Sequence, residues 1–143
     1  MTNFLFPKPV ASKGYSLLLL ALRILFGILF MTHGISKILN YTELCFTFPD
    51  PIGIGKEVSL VLAIFGELFC SIAFLFGALY RLFTIPMIIV MVVAFFHIHQ
   101  GDMAQGELAF LYLMVFIIMY ISGPGKYAID TLVYNYLHKD EYN

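Results

Sequence analysis

Seven ionisable side chains fall within or at the edges of long apolar runs: Arg23, His33, Lys37, Glu67, His97, His99 and Glu107. A charged or protonatable group in such a run is costly to bury, so it faces a bundle interior or a cavity and marks a site. Glu67 stands nine residues after Val58, which at ~1.5 Å per helical residue puts it roughly 14 Å deep. A carboxyl at that depth needs either a proton or a cationic partner. It reads either as a proton-carrying or ligand-holding group, or as the buried counter-ion of Arg23.

Arg23 shares nearly one helix face with Gly27 and Gly34, and small residues let a neighbouring helix come close. An ion pair with Glu67 or with Asp130 of the tail is the role expected of it. His33 and Lys37, four residues apart, share a face at the boundary where His97, His99 and Glu107 also arrive. Imidazoles, an amine and a carboxylate at one mouth suit a proton relay or, less readily, a metal site beside an exchangeable quinol-like substrate. Neither H-x-x-x-H nor E-x-x-H spacing is present. Ordinary interfacial histidines are the competing reading, and Lys37 alone reads as a lysine snorkelling to the membrane surface.

The elements that must position these groups follow from composition. Of 143 residues, 61% are hydrophobic and 12% charged, about half the charge that covers a soluble domain. The missing solvent is lipid. A net charge of -1 leaves no basic stripe to neutralise phosphates, which excludes nucleic acid as a partner. Four apolar runs, at about 15–36, 57–79, 82–99 and 103–121, approach the ~20 residues needed to span hydrocarbon. The expected fold is therefore all-α, a single membrane-embedded four-helix bundle.

Between the first two runs, Leu39 to Glu57 carries Phe48-Pro49-Asp50-Pro51 and Gly53-Ile54-Gly55, which breaks any continuous helix. The second connection is little more than Tyr80 and Arg81, and the third, His99 to Gly106, is short and polar. Ser122-Gly123-Pro124-Gly125 stops the last run, and the tail from Lys126 reads as an interfacial helix bearing Tyr127, Tyr134 and Tyr136. Lys8, Lys13, Arg81, Lys126 and Lys139 lie on the terminal face, against Lys37 and Lys56 on the other. The excess places both termini in the cytoplasm, with a bacterial inner membrane the expected location. Cys45 and Cys70 form no C-x-x-C or metal-knuckle spacing, and no haem-attachment, phosphate-loop or nucleophile-elbow motif is present.

Arg23-Ile24-Leu25-Phe26-Gly27, His33-Gly34-Ile35-Ser36-Lys37, Gly66-Glu67, Gly77-Ala78-Leu79-Tyr80-Arg81, Glu107-Leu108-Ala109 and Gly123-Pro124-Gly125-Lys126 with Asp130 follow one another along the chain. This ordered set resembles the DoxX family of small four-helix membrane proteins. The resemblance implies association with quinol oxidase or thiosulfate:quinone oxidoreductase complexes, or with redox homeostasis. The paired redox cysteines of related quinone-linked thiol oxidoreductases are absent here. The expectation is a redox-associated membrane subunit with an outward-facing cavity lined by His33, Glu67, His97 and Glu107 that takes a quinone or another small ligand. A partner redox protein would complete it. A small-solute transporter, or a structural partner in a larger complex, is the alternative.

Overall fold

The computed structural model describes residues 12–137, and no strand occurs among them. Six helices follow in order: α1 (Lys13–Leu39), α2 (Tyr41–Thr47), α3 (Lys56–Phe76), α4 (Tyr80–Ile98), α5 (Met103–Ser122) and α6 (Ile129–Leu137). α1, α3, α4 and α5 are long and apolar enough to cross a membrane. Lys8 and Lys139, counted above on the terminal face, lie outside the described residues.

The span boundaries reflect local chemistry. Asp102 caps α5, its Oδ1 accepting the Ala104 N–H at 2.9 Å, which satisfies one of the amides a helix start leaves open. α3 stops at Phe76 rather than at Leu79, because Gly77 takes the left-handed conformation (φ 67°) that only glycine adopts without strain. Tyr80 and Arg81, expected in the connection, instead open α4. The long first connection also differs from expectation, since Tyr41–Thr47 forms a short helix before Pro49 and Pro51 end it.

α3 and α4 are not uniformly α-helical. α3 passes through a π-helical turn at Phe65–Phe69, and α4 ends in another at Ala94–Ile98. Such turns are frequent at functional sites because they redirect side chains. The core lies along the bundle axis, where Phe30, Phe74, Tyr80, Met87, Tyr112 and Phe116 are buried. Edge-on contacts of Phe26 with Tyr112 (6.0 Å) and of Phe30 with Phe116 (4.9 Å) tie α5 back to α1. The outward-facing leucines and isoleucines, such as Leu17, Leu25 and Ile118, are exposed, as expected of a surface solvated by hydrocarbon.

Candidate functional site

Glu67 lies in the π-helical turn of α3 and is buried. Its Oε2 accepts from Nζ of Lys37 at 2.6 Å, and the two side chains are 6% and 21% exposed respectively. Lys37 therefore does not snorkel to the membrane surface as expected; it turns inward, because a buried carboxylate offers it a charge-assisted bond. The two glycines of the local motifs make this pairing sterically feasible. A Cβ on Gly34 would lie 2.8 Å from the Leu68 nitrogen, and one on Gly66 would lie 2.6 Å from Cγ2 of Val90. α3 is thus clasped between α1 and α4 at the level of the carboxylate.

His33 is one turn before Lys37 and acts electrostatically on Glu67. Its ring stands edge-on to Tyr112, 5.8 Å between centroids. Tyr112 is buried and also lies within the electrostatic reach of Glu67. α1, α3 and α5 thereby contribute an imidazole, an amine, a carboxyl and a phenol to one cluster. Tyr112 carries no charge to mark it in the sequence; a hydroxyl inside an apolar run is its signal.

Beside the Lys37–Glu67 pair opens a cavity of about 260 Å³ between α3 and α4, with Leu62, Ala63, Ile89 and Val93 among its walls. Phe48, Pro49, Pro51, Ile52 and Ile54 of the first connection also line it and form its roof. Asp50 holds that roof in place. Its carboxylate accepts the Ile54 and Gly55 N–H groups at 3.0 and 2.8 Å and the Ser59 hydroxyl at 2.9 Å. These bonds, that from Gly55 foremost, keep the Asp50 carboxyl below its ordinary pKa.

Glu67 lines the cavity together with Lys37, while His33, His97 and Glu107 do not. His97 and Glu107 are exposed, because arriving at the same end of a bundle does not put two side chains on the same face. His99 is half-buried and its Cβ packs near Gly106. Among the described residues, no three His, Cys, Asp or Glu side chains are grouped so as to hold a metal ion.

Arg23 and Asp130 belong to the opposite end of the bundle. Arg23 is 1% exposed and lies against Gly77, ten residues beyond Glu67, about 15 Å along the helix. It pairs directly with neither expected acid. Nη2 donates to the Tyr127 carbonyl, while Nε and Nη1 have no hydrogen-bond partner among the described residues. Asp130 acts on Arg23 through its charge, but its oxygens accept the N–H groups of Leu79 and Tyr80, both at 2.7 Å, and so cap α4. The Asp130 N–H in turn donates to the Gly77 carbonyl at 2.9 Å. Burial pushes the Asp130 carboxyl upward, opposed by these backbone bonds and by Arg23.

The DoxX family model matches residues 18–100, more than half of the chain and the first three spans. The chain belongs to the DoxX family. It is an integral membrane protein. No curated protein and no solved structure matches it. Within this DoxX protein the matched segment contains both halves of the Lys37–Glu67 pair, its two glycines and the cavity walls, whereas Tyr112 and Asp130 lie beyond it.

Proposed function

We propose that this DoxX protein is a redox-associated membrane subunit whose cavity binds the head of a quinone-like ligand. The observation that carries the reading is the Lys37–Glu67 pair at the wall of an otherwise largely apolar cavity. Small-molecule sites have this character, an apolar body with a few convergent polar groups that orient the ligand. Converting a quinone carbonyl to a hydroxyl takes one electron and one proton at each oxygen. The Lys37 ammonium donates a hydrogen bond to a carbonyl oxygen, and Glu67 is placed to pass or accept a proton. His33 and Tyr112 are the groups through which Glu67 would exchange that proton with the loop end of the bundle. The electrons come from a partner redox protein, since Cys45 and Cys70 are no redox pair.

The orientation that accompanies this reading has both termini in the cytoplasm of a bacterial inner membrane and the roof on the outer side. The test of function is occupancy. Protein purified from native membranes in mild detergent should release a quinone on solvent extraction, and the Lys37→Met and Glu67→Gln variants should release much less. Equal, trace amounts from all three would refute the quinone-linked reading.

A further inference from the structure

The cavity is roofed by the hydrogen-bonded first connection and flanked by two membrane-spanning helices. The roof residues are fixed by the three Asp50 bonds, and the Lys56 ammonium adds a bond to the Phe46 carbonyl at 3.1 Å. The Tyr41 hydroxyl bonds Glu57 at 3.0 Å across the same connection. At the side, Leu62 on α3 and Ile89 on α4 line the cavity and are 49% and 55% exposed. Exposed residues lining a cavity mark its rim, and while Ile52 and Ile54 of the roof belong to that rim, Leu62 and Ile89 carry it down into membrane-spanning segments. What stands outside it there is hydrocarbon.

We infer that the cavity is loaded sideways, from the lipid leaflet on the loop side, by an amphiphile whose small polar head reaches Lys37 and Glu67 while its apolar tail stays in the gap between α3 and α4. This rests on the reading that the cavity takes a ligand, and it narrows the class of ligand to one dissolved in the membrane. The head must both accept from an ammonium and meet a carboxyl. The tail leaves hydrocarbon for hydrocarbon, so its gain is close van der Waals packing against Leu62 and Ile89 rather than escape from water. A water-borne solute would instead enter past the roof and find an apolar lining beyond it.

The chain has no tryptophan, so a single introduced indole reports its surroundings unambiguously. Val93→Trp places one on the cavity wall, and Ala94→Trp serves where that variant does not fold; both positions line the cavity and are half-buried. In nanodiscs, lipids brominated on the acyl chain should quench this fluorescence strongly and aqueous iodide weakly. The decyl-chain derivative of 2,3-dimethoxy-5-methyl-1,4-benzoquinone should bind at least about tenfold more tightly than the ring without the chain, after correction for partitioning into lipid. Strong iodide quenching with silent bromolipid would overturn the sideways route. Equal affinity of the two rings would remove the tail from the gap and overturn it as well. Bromolipid quenching with binding of neither ring would support the lateral opening and refute the quinone-linked reading.

Discussion

Gly34 of α1 and Leu68 of α3 approach so closely that a methyl group on the glycine would lie 2.8 Å from both the Leu68 nitrogen and its Cβ. Backbone cannot yield as a flexible side chain does. Gly34→Ala should therefore push α1 from α3, with the ~1–3 kcal/mol cost typical of overpacking. The measurement is thermal unfolding in detergent, where the melting temperature should fall; Gly27→Ala, whose nearest contacts begin at 3.4 Å, should lower it much less.

Lys37 and Glu67 allow stability to be separated from function. Removing one partner strands a charge, which costs about 3–5 kcal/mol for a fully buried pair and far less for an exposed one. Lys37 is 21% exposed, so Glu67→Gln should fall between those limits. The double variant Lys37→Met with Glu67→Met leaves no stranded charge and should unfold at or above the native temperature while binding no quinone head. A double variant less stable than either single one would contradict this account.

Asp130 should behave as a structural residue. Asp130→Ala leaves the Leu79 and Tyr80 amides without their acceptors, a loss of about 1–3 kcal/mol. Lower thermal stability with ligand affinity unchanged in the surviving fold is the expected result. A selective loss of affinity would tie this end of the bundle to the cavity.

For Asp50 the pH dependence has a definite sign. Its carboxyl is held below the ordinary value of 3.8, so its contribution is fully present above that value and is lost as pH falls through the folded pKa. The roof should stay clamped across the neutral range. The Ile54 and Gly55 amide resonances should titrate with a midpoint under 3.8, and that transition should vanish in Asp50→Asn.

Ile54 offers a test of orientation. It is exposed on the roof, and Ile54→Cys in a chain with Cys45 and Cys70 replaced by serine should react with a membrane-impermeant maleimide in intact cells. Labelling only after lysis would reverse the assigned orientation.

How much of this was legible beforehand depended on which signals survive in one dimension. Hydropathy marks four spans because hydrocarbon demands a minimum run of apolar residues. Glu67 stood out for the same reason. Lys37 stood out too, but not as its partner, because counting at 3.6 residues per turn assumes a regular helix, and the π-helical turn at Phe65–Phe69 resets the angular register around Glu67. Arg23 was assigned an acidic partner, whereas its acceptor is the Tyr127 carbonyl, and a backbone oxygen leaves no mark in residue type. Asp130 was seen as a charge, but the N–H groups it caps on α4 become available only once Gly77 and Leu79 turn the chain.

The Tyr127–Asp130 segment also sets an order of assembly. Arg23 is in α1, yet the carbonyl that receives it is made 104 residues later. Until that segment is made, the Arg23 guanidinium and the first amides of α4 lack these acceptors. The Arg23–Tyr127 bond is thus a late contact, and a chain truncated before Tyr127 would leave the guanidinium without that acceptor.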